Sequence, residues 1–417
     1  MHLPALHAFF IWLIVLASIM LMLLRPWHIR EAVWVSAGAI LLIVSRLLPL
    51  RSALQAVNKG TDVYLFLTGM MLLAELARHE GVFDWIADRA VRRAGSSAAR
   101  LFLLIYITGV AVTALLSNDA TAVVLTPAIL AAVRRARVDP KPYLLACALV
   151  ANSASFLLPI SNPANLVVFG SHLPALASWL RFFLLPAAIS VTVTYFCLRF
   201  LSRSVLASRV YCPRDRVPLT PAGRFALGGL IFASVVLLVA SGFGVGLGIP
   251  TCAAALAALI LVSLKDRAIY KIAALEISWS ILPLVAGLFI LVEALNGAGI
   301  LRLIQGAFQS LAHQPRLIAY LAASGGAALL SNVMNNLPVA LAGSTALQNA
   351  PQLAHAFLIG VNLGPTLSVP GSLATILWLM ALRRENIALT RKQFFKTGLI
   401  VMPATLVLSV LALWLIA

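Results

Sequence analysis

Long apolar stretches alternate with short polar ones along the whole chain. Runs of membrane-spanning length cover residues 9–24, 33–48, 63–76, 101–116, 120–133, 143–170 and 179–198. After a basic stretch they resume at 225–240, 247–264, 281–295, 317–330, 337–347, 354–382 and 397–416. Hydropathy alone would make each run a crossing, but the charges between them require fewer. Arg89, Arg92, Arg93 and Arg100 precede the 101–133 segment, and Arg134, Arg135, Arg137 and Lys141 follow it, so both of its ends belong on the cytoplasmic side. Such a segment is a re-entrant helical hairpin with its tip at 117–120. Its counterpart in the second half has a tip near 331–336. The flanks there, 309–314 and 348–355, lack Lys and have only Arg302 and Arg316 nearby, which suits the outer side. The two hairpins therefore enter from opposite faces.

Both tips interrupt apolar sequence with amides and hydroxyls: LLSNDATAVVLTP at 115–127 is echoed 214 residues later by LLSNVMNNLP at 329–338. An unpaired polar group at membrane depth costs several kcal/mol, so such breaks call for a function. The runs 143–170 and 354–382 are each too long for a plain span, and each is interrupted, by LPISNPAN at 158–165 and by SVPGSLAT at 368–375. Unwound backbone is tolerated in a bilayer only where it lines a polar cavity, and paired broken helices at the midplane mark a secondary transporter.

These assignments predict an all-α polytopic membrane protein of two repeats, 1–198 and 225–417, each with about five spans, one hairpin and a broken helix at the midplane. A basic cytoplasmic linker at 199–224, with Pro213, Pro218 and Pro221, joins them. An odd number of spans inverts the second repeat and leaves both termini external; Arg51 and Lys59 are the charges this topology does not accommodate. Smaller echoes agree with duplication. Gly69, Glu75 and Gly81 recur at the same spacing as Gly287, Glu293 and Gly299, and Asn152 is answered by Asn362. Residues 82–93 and 300–311 read as amphipathic helices lying at the interface.

Composition narrows the class further. With 62% hydrophobic and 11% charged residues and a mean hydropathy of +1.00, nothing polar would cover a water-soluble core. No small-residue cleavage site follows the run 9–24, so it is expected to stay as a span. The net charge of +18 sits in short clusters between apolar runs without aromatic interleaving, which is loop charge obeying the positive-inside bias and not a nucleic-acid surface. Cys147, Cys197, Cys212 and Cys252 have no CxxC or His–Cys spacing, so neither a disulfide framework nor a metal site is expected. No cofactor is called for, and the absence of GxxxxGK[ST] leaves the chain no ATP-hydrolysing loop of that kind. The Trp residues fall mostly near span ends and need only the aromatic belt.

Asp119 is the sharpest chemical signal, because an Asp at membrane depth is rare and by default marks an ion path or a proton relay. A desolvated carboxyl can take up and release a proton as a site alternates between two faces. The alternative is that Asp119 caps the helix starting at Ala120. Ser117, Asn118, Ser161, Asn162, Asn165, Ser331, Asn332, Asn335, Asn336, Ser372 and Thr375 offer groups that donate and accept, beside half-helix termini. That lining suits a small hydroxylated or ionic solute. Interhelical glue explains any one of them but not their pairing at four breaks. Asn152, Asn362, Glu75 and Glu293 are supporting candidates; the two Glu lie towards span ends, where snorkelling or interface pairing also accounts for them.

At these residues the chain resembles the arsenite/antimonite efflux permeases, the ArsB family of the wider ion transporter superfamily. The likeness runs through LSNDATAVVLTPAIL at 116–130, SNPANLV at 161–167, SNVMNNLPVALAG at 331–343 and NLGPTLSVPGSLATILWL at 362–379. The resemblance implies an elevator-type or rocking fold of inverted repeats in a bacterial-type inner membrane. It implies export of trivalent arsenic and antimony hydroxides in exchange for protons, in some members with a separate cytoplasmic ATPase. The family often has acidic residues where this chain has Asn152 and Asn362, so a proton role rests on Asp119. A sodium-coupled transporter of the same superfamily, a sodium/proton antiporter or a carboxylate symporter, is the alternative.

Overall fold

The computed structural model describes residues 3–212 and 215–417; Met1, His2 and, in the linker, Pro213 and Arg214 lie outside the described residues. Helices follow one another throughout, and the first half contains α1 (Leu3–Leu24), α2 (Glu31–Val44), α3 (Leu50–Lys59), α4 (Thr61–His79), α5 (Val82–Ala94) and α6 (Ala98–Leu115). It continues with α7 (118–135), α8 (Lys141–Ser153), α9 (Pro163–Phe169) and α10 (Leu176–Leu201). The second half repeats this order as α11 (Pro221–Gly242), α12 (Gly248–Ser263), α13 (Ile269–Glu276), α14 (Ile281–Gly297), α15 (Ile300–Ala312) and α16 (Arg316–Met334). It closes with α17 (Asn336–Ala346), α18 (Ala354–Leu363), α19 (Leu373–Arg384) and α20 (Arg391–Ile416). Among the described residues, α1, α6, α10, α11, α16 and α20 are each long and apolar enough to cross a membrane, and the bent pairs α3–α4 and α14–α15 pass the same test as pairs. Leu16, Ile40, Ile231, Ile260 and Leu408 point outward, an apolar exterior suited to lipid.

The two halves interlock through equivalent contacts. Helix α4 packs along α12, and α14 packs along α2; α10 and α20 pack on each other. The hairpin helix α17 rests on α9, and α7 rests on α19, so each hairpin is held by the other half's broken span. Glycines permit the closest crossings. A Cβ on Gly69 would stand 2.7 Å from the Thr251 carbonyl carbon of α12, and one on Gly287 would stand 2.7 Å from Val35 Cγ1 of α2. The third residue of each echo ends its helix: Gly81 and Gly299 adopt φ of 69° and 79°, a left-handed conformation that glycine reaches without strain. The amphipathic helices at 82–93 and 300–311 are α5 and α15.

Several expectations need correction. The Gly, Glu and Gly echoes lie 218 residues apart, and the helix starts Asn118 and Asn336 share that offset, so the two LLSN strings are out of register. Ser117 corresponds to Asn335, and Ser331 and Asn332 belong to the last turn of α16 before the break. The interruptions of the broken spans also begin earlier than their polar strings: the first occupies 154–162 and the second 364–372, while Asn165 and Thr375 already stand in the following helices. Trp179 and Trp378 are wholly buried and are not belt residues. Their indole N–H groups donate to the carbonyls of Phe156 (3.2 Å), which the first break leaves unwound, and of Leu144 (3.1 Å), in the first turn of α8. The linker is docked as well: Val210 N–H donates to Ser96 O (3.0 Å) and Tyr211 N–H to Ala136 O (2.9 Å).

Candidate functional site

Four short helices begin inside the molecule, and each is capped by a residue of an Asn- or Ser-rich break. Ser117 Oγ accepts from Ala120 N–H (3.1 Å), Asn162 Oδ1 from Ala164 N–H (3.0 Å), Asn335 Oδ1 from Leu337 N–H (3.3 Å) and Ser372 Oγ from Thr375 N–H (3.1 Å). These caps satisfy amides that a helix start otherwise leaves bare, the condition for breaking a helix away from water. Asn335 holds φ 75° and ψ 152°, a region that side chains other than glycine rarely enter, so the second tip carries backbone strain. The first tip is distorted differently. Pro127 removes one N–H from α7, and residues Thr121–Leu125 widen into a π-helical turn.

The breaks meet at Asn362. Its Oδ1 accepts from Asn162 Nδ2 (2.7 Å) and Ser155 Oγ (2.6 Å), and its Nδ2 donates to Asn165 Oδ1 (3.0 Å) and Leu358 O (3.0 Å). That amide is fully satisfied. A carboxylate at Asn362 would set oxygen against the Asn165 and Leu358 oxygens, a local reason for an amide here. Asn165 Nδ2 in turn donates to the unwound carbonyls of Ser155 (2.8 Å), Leu158 (3.2 Å) and Pro159 (3.3 Å). The side chain of the equivalent residue Asn152 makes, among the described residues, only one long hydrogen bond, from Nδ2 to Thr375 Oγ1 at 3.5 Å. The halves are therefore matched in outline and unequal in bonding.

Asp119 stands in the first turn of α7. Ser117, and not Asp119, is the cap, so the helix start leaves the Asp119 carboxylate unused. Its own N–H donates to Asn118 Oδ1 (3.0 Å). The side chain lines a cavity of about 690 Å³ together with Ser117, Val123 and Val124 of α7, Met70 and Met71 of α4, and Leu377 and Met380 of α19. The cavity opens past Glu75, Arg78, Asp84, Glu276, Arg384 and Glu385. Arg78 pairs with Glu75 (2.5 Å) and with Glu276, and Arg134 pairs with Glu385 (2.7 Å). Burial pushes the Asp84 carboxyl above the usual range, against the opposing pull of the Arg135 and Arg78 guanidiniums. Glu293 pairs with Lys59 (2.9 Å), so both echo glutamates sit in ion pairs at the junction of the two halves, and Lys59 has a partner there.

Of the residues singled out from sequence, Ser117 and Asp119 line the cavity, and Glu75 lines it at the mouth. Asn118, Ser161, Asn162, Asn165, Ser331, Asn335, Asn336, Ser372 and Thr375 are buried around the breaks. Asn332 donates to the carbonyls of Ala328 (2.7 Å) and Gly364 (2.9 Å) and accepts from Ser368 Oγ (2.5 Å), tying α16 to the second break. Ser155, Ser368 and, apart from Glu75, the charged mouth were not legible as site residues. Their only signal is membership of, or closeness to, the unwound strings.

A family model described as "Citrate transporter" (CitMHS) matches residues 13–382. The arsenical pump membrane protein of Escherichia coli K12 is 30% identical over 369 residues, covering 82% of this chain and 84% of that one. The chain belongs to the citrate-transporter (CitMHS) family. Within this family it stands with the ArsB-type membrane proteins: a second arsenical pump membrane protein of Escherichia coli is 27% identical over 419 residues, with 95% and 96% covered. An uncharacterized transporter of Mycobacterium tuberculosis H37Rv is 28% identical over 377 residues, covering 85% and 86%. The crystal structure of the Alcanivorax borkumensis YdaH transporter, described as having an unusual topology, shares the fold with a TM-score of 0.58 at 15% identity over 87% of each chain. This CitMHS-family chain is a multi-pass membrane transporter and not an enzyme.

Proposed function

We propose that the chain exports arsenite and antimonite, as neutral trivalent hydroxides, from a bacterial-type cytoplasm in exchange for protons. The observation that carries this reading is Asp119, a carboxylate without an ion-pair partner among the described residues, facing a cavity between a hairpin tip and the other half's broken span. In this reading the repeats 1–198 and 225–417 are oppositely oriented and the linker 199–224 is cytoplasmic. Both termini are then external, and the cavity mouth, beside Arg134, Arg135 and Arg384, faces inward. Asp119 exchanges a proton as the site alternates, and Ser117 meets the substrate from the cytoplasmic side. Asn118, Ser161, Asn162, Asn165, Ser331, Asn332, Asn335, Asn336, Ser372 and Thr375 frame the two tips, with Asn152 and Asn362 joining them. Arsenous acid is neutral at pH 7 and presents three hydroxyls, so amides, hydroxyls and backbone suffice to hold it. The mouth supports a neutral solute over an anion, since its guanidiniums are matched or outnumbered by carboxylates. None of the cysteines lines the cavity; thiolates would grip soft trivalent arsenic too long for turnover. One inward proton supplies ~2.3 kcal/mol per 100 mV, about a 50-fold gradient at ~1.4 kcal/mol per decade.

Everted vesicles test the reading. Arsenite should accumulate when the vesicle interior is acid, and Asp119→Asn should abolish accumulation while leaving the protein in the membrane. Uptake that survives collapse of the proton gradient, or an unimpaired Asp119→Asn, refutes it. The family model's description favours one second reading, carboxylate transport; sodium-driven citrate uptake without arsenite flux would establish its sodium-coupled form instead.

A further inference from the structure

Apart from the cavity, a cluster at the inner end of α4 has no role in the proposed transport cycle. We propose that His79, Glu80 and Asp266 form a binding site for a divalent transition-metal ion of the zinc class, with its fourth position open to solvent. Each residue offers one ligand atom, and the three lie within 4.8 Å of one another. His79 Nε2 and Asp266 Oδ2 are 3.6 Å apart, near the ~3.4 Å edge of a tetrahedron with ~2.0–2.2 Å bonds. The independent observation is Glu80. The residue is only 8% exposed, and its Oε1 is buried without a hydrogen-bond partner among the described residues. An anionic oxygen left in that state is costly unless a cation meets it. Asp266 is also held in a suitable orientation, since its Oδ1 accepts from Ala268 N–H (2.9 Å), which fixes the carboxylate with Oδ2 towards His79. The adjoining hollow of about 390 Å³ gives access and room for a water ligand. The other charges facing that hollow are Arg135 and Asp84, which attract one another. One imidazole with two carboxylates favours zinc-class ions over magnesium or calcium. The ion would join the end of α4 to the loop before α13, the helix whose far end, Glu276, meets Arg78 at the cavity mouth.

The test uses the full chain purified in detergent under reducing conditions and titrated with zinc and with magnesium. Wild type should bind one zinc ion that excess magnesium does not displace, and His79→Gln and Asp266→Asn should each weaken it at least ~10-fold. X-ray absorption of the zinc-loaded wild type, which does not depend on how the variants fold, should report nitrogen and oxygen ligands without sulfur. Equal zinc binding in wild type and both variants, no saturable binding by wild type, or sulfur ligation overturns the site.

Discussion

Replacing Asn362 by alanine removes the amide on which the two broken spans converge. Asn162 Nδ2 loses its acceptor and Asn165 Oδ1 its donor, whereas Ser155 Oγ keeps the Asn152 carbonyl at 2.6 Å and Asn165 Nδ2 keeps its backbone carbonyls. Two buried groups are thus orphaned, at ~1–3 kcal/mol each. Interhelical hydrogen bonds measured within bilayers lie lower, at ~0.6 on average and ~1.7 at most. A destabilisation of about 2–4 kcal/mol follows from these bounds together with the cavity left in a packed site. Asn152→Ala is the internal control, because it removes a single contact at 3.5 Å, and about 1 kcal/mol or less is expected. Thermal unfolding of both variants in one detergent, at one scan rate and followed by tryptophan fluorescence, compares them directly. Asn362→Ala should melt several degrees below Asn152→Ala. Equal shifts, or the larger shift at Asn152, would refute the claim that the node is one-sided.

Gly69→Ala places a methyl against the Thr251 backbone and should lower stability by ~1–3 kcal/mol, whereas Gly228→Ala, with nothing within 4 Å of its Cβ, should be neutral or slightly stabilising in the same melt. At Asn335 the alanine variant keeps the strained backbone and loses the cap, so Asn335→Gly should unfold at a higher temperature than Asn335→Ala. Burial raises the Glu80 carboxyl pKa, with His79 opposing and Asp266 reinforcing the shift. The folded chain then holds that proton to higher pH than the unfolded chain does, so the metal-free protein loses stability as pH rises from the unfolded to the folded value. Glu80→Gln should remove that part of the pH slope in a melt series and abolish zinc binding together. Zinc affinity of the wild type, measured by titration, should strengthen across the same interval as the carboxylate is freed.

Much of the architecture was legible because the physics forcing it is local. Polar residues inside apolar runs must find partners, and capped helix ends supply them, so LLSNDA and SNPAN announced the breaks; Gly81 and Gly299 read only as echoes of duplication, and their left-handed backbone at the ends of α4 and α14 came with the structure. Register across the halves was less visible. The string LLSN occurs twice, but Ser331 and Asn332 remain helical because Asn332 can satisfy itself on the Ala328 and Gly364 carbonyls; the break waits until Asn335. Trp179 and Trp378 read as belt residues for a related reason. Position near a span end does not reveal that a neighbouring segment, unwound at Phe156 or helical at Leu144, offers the indole a carbonyl inside the molecule. Long-range pairing, such as Glu293 with Lys59, depends on which helix of one half crosses which helix of the other, and hydropathy is blind to that.

The same comparison of halves bears on coupling. With α7 and α17 aligned at their starts, the position equivalent to Asp119 is Leu337, so the second hairpin turn has an apolar side chain where the first has an acid. The residues at the other matched breaks, Asn162 with Ser372 and Asn165 with Thr375, are neutral on both sides. In the proposed exchange cycle this leaves one titratable carboxyl among the four breaks, and hence one proton per turnover from this set. A neutral substrate moved against one proton makes the cycle electrogenic. Transport should then respond to membrane potential as well as to pH, and placing a second acid by Leu337→Asp should change the voltage dependence if the mutant still folds, with Leu337→Asn as the uncharged control. Arsenite flux in wild-type vesicles that follows the pH gradient but ignores an imposed potassium diffusion potential would contradict a single-proton exchange.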